Sequence, residues 1–485
     1  MQISILSLAN KPRLLSDPAA SKSSQRAMPL EHVLPHAVLP IAERRQAGQA
    51  LRKVVPRSLH ASWKPSVNRR DPIQTLIDSD RHLLSHLLPI RYGRMRASPF
   101  TFLRGAASVM AADLAETPTS GLWTQSCGDC HLANFGTFAS PEGAPVFDVN
   151  DFDETLPAPF EWDLKRLATS FAVDACARGE PDKVVRHLAR TVVLSYRAHM
   201  TEMIKLDPLT AWHLCIDVPQ VLQGIEDTRL RERELKRLHL ATETSHRGYP
   251  KLIERHDGRW RIRARPPLLM PLSGQADDTH ELAARAAFES YKLSLPEERR
   301  VLADRYKLAD VAFKVVGIGS IGTFCAIGLF VTSDDATLLL QVKEARTSVL
   351  APFAGPSLYA NQGQRVVVGQ RIMQTTPDIF LGWTEDRGDD QHCYVRHLKD
   401  SHLAMIGNDI AAQALPHHAV LCGATLARAH ARSGDTARIA GYMGSGGVFD
   451  AAIAEFAMVY AQQVERDWRL FLEAIKGGVI EARPD

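Results

Sequence analysis

Two neighbouring runs constrain this chain more than any other feature: Gly128-Asp-Cys-His-Leu-Ala-Asn-Phe-Gly and, shortly after it, Phe147-Asp-Val-Asn-Asp-Phe-Asp-Glu. Asp129 and Asn134 stand five apart, the D-x-x-x-x-N spacing at which phosphoryl-transfer sites set a carboxylate against the accepting hydroxyl and a metal ligand one short loop later. Asp151, followed by Phe152, stands where a second metal-binding carboxylate is needed. Magnesium is a hard ion that takes oxygen ligands and leaves room for phosphates, so Asn134 and Asp151 suit it, with Asp153 and Glu154 open to a second ion.

A second feature lies far along the chain. An apolar strand from Asp310 enters Gly317-Ile-Gly-Ser-Ile-Gly, and another strand leaves it. Strand, loop, strand is the kinase arrangement, whereas a dinucleotide-binding loop opens a helix. Gly317, Gly319, Ser320 and Gly322 would let the backbone approach phosphates with no Cβ in the way. Leu338-Leu-Leu-Gln-Val-Lys-Glu-Ala follows as a strand carrying Lys343, where a kinase places the lysine that pairs with the α and β phosphates. The two features together point to ATP and Mg2+; the competing reading is an ordinary hairpin with an edge lysine. Residues 358 to 375 read as the helix whose glutamate should hold the lysine, yet they contain no Glu or Asp. Glu344, a glutamine or a carboxylate from elsewhere has to orient Lys343. A hinge is expected at about 398 to 401, where backbone groups would meet an adenine.

Arg91-Tyr-Gly-Arg-Met, Ser98-Pro-Phe-Thr-Phe-Leu-Arg-Gly, Asn150-Asp-Phe-Asp-Glu and Trp162-Asp-Leu-Lys-Arg-Leu, with the Gly128 run, resemble the bacterial domain of unknown function 2252 family over roughly residues 45 to 475. That family is similar in turn to the protein-kinase-like superfamily, nearest to aminoglycoside phosphotransferases and choline kinases, whose loop reads H-G-D-x-H-x-x-N. Cys127 replaces the first His here. The resemblance implies that Asp129 accepts or orients a hydroxyl, that Asn134 and Asp151 hold magnesium, and that Asp163 props the catalytic loop, a helix cap being the alternative. It also implies a reversed order, because kinases place the glycine loop before the catalytic loop.

The expected fold is α+β: a protein-kinase-like bilobal fold, circularly permuted. Residues 1–40 are an arm, 41–300 a large-lobe part with the catalytic loop, 301–403 a small lobe of five strands, and 404–485 a helical part that completes the large lobe. Within that plan a helix is expected from Asp71-Pro72 to just before Pro89. Further helices are expected from Phe160, over 181 to 205, over 416 to 432 and over 450 to 475, each with an apolar stripe. The arginines at 91, 94, 96 and 104 would clamp phosphate or pair with carboxylates.

Formal charge is +3 with both signs interspersed, which gives no reason to expect nucleic acid as a partner. Seven cysteines without framework spacing fit reduced thiols and a cytoplasmic setting. Cys127-x-x-Cys130 lacks the second pair a zinc site needs. No run reaches the eighteen apolar residues of a membrane span. The expectation is an ATP- and magnesium-dependent phosphotransferase acting on a small-molecule hydroxyl, with a regulatory nucleotide-binding protein or a nucleotidyl (AMP) transferase as the alternatives.

Overall fold

Two pairs of short antiparallel strands bring the two acidic runs together. β1 (Trp123–Ser126) pairs with β4 (Leu156–Pro159), and β2 (Phe135–Ala139) with β3 (Pro145–Val149). The first pairing sets Ser126 opposite Leu156, so the loop that leaves β1 lies beside the segment that enters β4. The second sets Phe135 opposite Val149, and the Asn150 amide donates to the Asn134 carbonyl at 2.9 Å. Gly128 joins the two: it has φ +82°, and a Cβ there would stand 2.3 Å from the Glu154 carbonyl oxygen. Only glycine takes that conformation at that distance.

The computed structural model describes residues 39–223, 228–245, 252–266, 268–272, 279–315, 317, 321–384, 391–398 and 414–483. Most of the expected arm, most of the expected hinge, and Gly319 and Ser320 lie outside them. The architecture is mixed α+β with antiparallel sheets. β5 (Ile253–His256) and β6 (Arg259–Ile262) form a hairpin whose turn residues Asp257 and Gly258 both have positive φ, as a two-residue turn of the primed type demands. The main sheet runs in the order β11-β12-β10-β9-β8-β7. Its strands are β7 (Leu269–Pro271), β8 (Lys307–Lys314), β9 (Cys325–Val331), β10 (Thr337–Glu344), β11 (Gly382–Trp383) and β12 (Cys393–His397). It has six strands where five were expected. The addition, β7, is an edge strand that ends on Pro271, a residue tolerated only at such an edge.

The helices that matter for the site are α1 (Pro72–Asp80), α2 (Leu88–Met95), α3 (Pro99–Gly105), α4 (Ala107–Ala115), α5 (Phe160–Ala177), α6 (Asp182–Met203), α7 (Gln362–Met373), α8 (Leu415–Ala431) and α9 (Val448–Lys476). Asp71 caps α1 by accepting from the amides of Ile73 and Gln74. The expected helix to residue 88 is corrected: α1 stops at Asp80, and Pro89 opens α2 instead of ending its predecessor. Proline costs nothing in a first turn, where its missing N–H has no partner to lose.

Leu164, Leu167 and Phe171 of α5 pack with Val192 and Tyr196 of α6, Leu426 of α8 and Phe456 of α9 in one large core. A second core lies under the sheet and gathers Phe288, Phe313, Phe330, Val342 and Val395, with the Phe288 and Phe330 rings edge to face. Helix α7 buries Val366, Val367 and Met373 in the first core although the chain reaches it from the sheet. Among the described residues no helix is long and apolar enough to cross a membrane.

His418 of α8 sits in the large core and its Nε2 meets the Leu132 carbonyl at 2.9 Å. Burial lowers its pKa from 6.5 to about 4. As pH falls the unfolded chain therefore takes up this proton first, so stability drops from pH 6.5 downward and levels off below about 4. The contribution is about 3 kcal/mol over that window. Urea unfolding at pH 7 and at pH 4.5 is expected to show a smaller difference for His418→Gln than for the wild-type chain; an unchanged difference would remove His418 as its source.

Candidate active site

Helix α5 holds the loop between β1 and β2 with one face. Asp163 and Arg166, three apart and so on the same side of the helix, point at consecutive parts of it. The Asp163 carboxylate accepts from the amides of Cys127 and Gly128 at 2.8 and 3.1 Å, and makes no cap bond to its own helix. His430 of α8 backs it, with Nε2 at 3.3 Å, while the Nδ1 of that histidine meets the Tyr196 hydroxyl at 2.9 Å. Asp163 therefore props the loop. Arg166 donates to Asp129 Oδ1 from Nε at 2.9 Å and also from its terminal nitrogen, which further donates to the Leu103 carbonyl at 2.9 Å.

Burial works to raise the pKa of Asp129, but Arg166 and His131 outweigh it and hold the carboxyl well below its ordinary range. Asp129 is thus ionised throughout the neutral range and a weak base, suited to directing a hydroxyl more than to accepting its proton fully. Asn134 is buried, and its Nδ2 donates to the backbone carbonyls of Asp129 and Asp151 at 3.1 Å each. Its Oδ1 is the atom left to offer a cation. Asp151 carries an enclosed Oδ1 that has no hydrogen-bond partner among the described residues, although its side chain as a whole is 44 % exposed. An acceptor oxygen of that kind, with a second oxygen donor across the same loop, fits a hard divalent ion.

Lys343 reaches this point from β10. Its neighbours across the sheet are Cys325 on β9 and Tyr394 on β12. Nζ stands 2.5 Å from Asp153 Oδ2 and 3.8 Å from Asp151 Oδ1. The Tyr394 hydroxyl donates to the other oxygen of Asp153 at 2.6 Å. Burial opposes the charge on Lys343, yet Asp151 and Asp153 hold its pKa well above the ordinary lysine range. Asp153 in turn is held low: burial is outweighed by Lys343 and Tyr394.

The helix expected to carry a glutamate, α7, carries Arg365 instead. Its guanidinium donates to the carbonyls of Thr155, Asp153 and Arg346 at 2.6 to 2.8 Å, so it binds the second run to the end of β10 through backbone alone. Asp153 and Glu154, read from the sequence as open to a second ion, are committed otherwise: Asp153 to Lys343 and Tyr394, Glu154 to the Val349 amide at 2.6 Å. Asp148 is also committed, paired with Arg428 of α8.

Asp129, Asp151 and Asp153 line one cleft of about 1130 Å3, together with Arg104, Thr323 and Arg346. Of the glycine loop, Gly322 is fixed against the segment before α2, since the Leu84 amide donates to its carbonyl at 2.7 Å and a Cβ at φ +101° would strike Leu83. Gly317 is exposed, with open space where a Cβ would be. The thiols of Cys127 and Cys130 are free and buried, and burial raises both pKa values, that of Cys130 to about 11. They cluster with Asp163, but that carboxylate already serves the loop amides.

A family of uncharacterized proteins conserved in bacteria, domain of unknown function 2252, matches residues 82–474. The chain belongs to this family. No curated protein and no solved structure matches it. Arg166, Arg365 and Tyr394 pack against the candidate site's carboxylates and loop without having been singled out in the sequence for that role, and Asp153, read there as open to a second ion, is the near partner of Lys343. The i to i+3 spacing of Asp163 and Arg166 was the available signal for Arg166, the acidic run marked Asp153 without its partner, and nothing local marked Arg365 or Tyr394.

Proposed function

We propose that this member of the domain of unknown function 2252 family is a circularly permuted relative of the protein-kinase-like superfamily. In this reading it transfers the γ-phosphoryl group of Mg-ATP to a hydroxyl of a small molecule. The observation that carries the reading is the approach of Lys343, delivered by the sheet, to Asp151 and Asp153, two carboxylates that line one cleft with Asp129. A strand lysine beside a carboxylate and an amide oxygen is the constellation that phosphoryl transfer needs. Mg-ATP, when bound, supplies the transferred group and the charge that steadies it.

The chain's own residues divide the remaining work. Asn134 Oδ1 and Asp151 would hold the ion. Lys343, steadied by Asp153 and Tyr394, would face the phosphates, so that Asp153 takes the part the α7 glutamate plays in kinases. That substitution favours an active enzyme over a regulatory nucleotide-binding protein, because the lysine is oriented and charged. Asp129, fixed by Arg166, would direct the acceptor hydroxyl at the phosphorus; the new P–O bond forms, the bond to the bridging oxygen breaks, and ADP leaves with its electron pair as the hydroxyl proton passes to solvent.

Incubation of the purified protein with γ- and α-labelled ATP and a bacterial extract tests it. Label from the γ position alone on a small molecule is expected; label from the α position would make it a nucleotidyl transferase, and neither label would leave a binding protein. In a thermal-shift titration, Asp151→Asn is expected to lose the Mg-ATP shift while its unliganded melting temperature stays near that of the wild type, because the change removes charge from an open side chain and no core volume. An undiminished shift would move the ion away from Asp151, and Asp148 and Asp153 are not available to receive it.

A further inference from the structure

The arginines that line the cleft fall into two kinds. Arg69 is saturated by Asp113 and Asp467, with four bonds of 2.6 to 3.0 Å. Arg91 is bonded to Asp80 at 3.0 Å and to the Gly105 carbonyl at 2.7 Å. Arg104, near the end of α3, is different. Its Nε is enclosed without a hydrogen bond, and no hydrogen bond or ion pair joins its guanidinium to another described residue. It lies 6.0 Å from the centroid of the Phe100 ring, within the field of Asp129 and Asp151.

An enclosed N–H with no acceptor is costly, and Arg104 holds its Nε in that state while the residue as a whole is half-buried at the cleft wall. Its fork matches one kind of partner, an oxyanion that takes two of its N–H groups at once. Lysine and arginine without ion pairs among the described residues, Lys64 and Arg70, line the same cleft from the segment before α1, and His82 from the segment after it. All three are exposed. Arg104 thus reaches the cleft beside Asp129 and Asp151 with a fork that no described residue engages, while Lys343 on the sheet side is already steadied by carboxylates.

We infer that the Arg104 side of the cleft is the acceptor subsite, and that the acceptor is a small molecule bearing an oxyanion of its own, a phosphate or a carboxylate, gripped by Arg104. The inference rests on the proposed phosphotransfer, since Asp129 beside Arg104 is where the acceptor hydroxyl would stand. Desolvation of Arg104 outweighs the attraction of the two carboxylates and lowers its pKa, in keeping with a cation that awaits an anion.

The full-length chain is titrated with pyrophosphate and, separately, with malonate in EDTA, and then again with magnesium and a saturating non-hydrolysable ATP analogue. Calorimetry is expected to record binding of at least one anion in both conditions, pyrophosphate marking a phosphate-bearing and malonate a carboxylate-bearing acceptor. Arg104→Gln is expected to weaken that binding roughly tenfold or more and Arg104→Lys to fall between. Arg104→Gln should melt close to the wild type, because no described residue is hydrogen-bonded to the guanidinium it removes, and should keep the Mg-ATP shift. Binding of neither anion, equal binding by Arg104→Gln, blockade by the ATP analogue, or loss of the Mg-ATP shift in Arg104→Gln would each overturn the inference. Anion binding without any Mg-ATP shift in the wild type would instead sink the phosphotransferase reading and leave the anion site standing.

Discussion

Lys343→Met is expected to destabilise the folded chain by about 3–5 kcal/mol, the range for breaking a buried ion pair by removing one partner. The lysine side chain is 3 % exposed, and Asp153, its near partner, also accepts from the Tyr394 hydroxyl at 2.6 Å. Loss of the cation leaves the partly buried Asp153 charge without its near partner and Asp151 beside it unbalanced. Asp153→Asn in the same chain removes the stranded charge, so the double variant should be more stable than the sum of the two single losses by about 0.5–3 kcal/mol. Urea unfolding of the four chains measures this directly. Additive losses would mean that the pair does not act as a unit, and Lys343 would then have to be held by the wall of the sheet alone.

The pair also marks where the sequence ceased to be readable. The convergence of Asp129, Asn134 and Asp151 was legible because each lies within a short run whose spacing is set by one loop, and a loop of that length holds its ends close. The long helices were equally open to reading: the stripe of Ile453, Phe456, Tyr460, Val464 and Phe471 is buried along α9, and Tyr460 there is core, its hydroxyl donating to Asp113 at 2.6 Å. The glycine loop was legible only as a strand, turn and strand. The partner of Lys343 was not legible, since any acidic residue on the far side of the cleft could have served. Only the packing of α7, with Arg365 drawing the carbonyls of Asp153 and Thr155 toward the sheet, selects Asp153. Pro89 failed for a local reason. A proline at the end of one apolar stripe and a proline opening the next look alike until the chain between them, Arg81 to Leu87, is seen to leave the helix.

Asp129→Asn is expected to lower turnover by about 10^2–10^4, the worth of a positioned acid–base group, while leaving the Mg-ATP thermal shift in place. Asparagine keeps an oxygen for the Arg166 fork, so the loop stays docked on α5; what is lost is the negative charge aimed at the hydroxyl. Because Arg166 and His131 hold the Asp129 carboxyl below its ordinary range against the opposing effect of burial, the group is already ionised across the mildly acidic and neutral range. The wild-type rate should therefore show no acid limb from this residue between about pH 5 and 8. Activity that falls on acidification through that window, with a limb abolished in Asp129→Asn, would mean that Asp129 titrates there and is not clamped by Arg166. An equal loss of Mg-ATP binding in Asp129→Asn would put the residue among the groups that hold the nucleotide, and the division of labour between Asp129 and Asp151 would have to be redrawn.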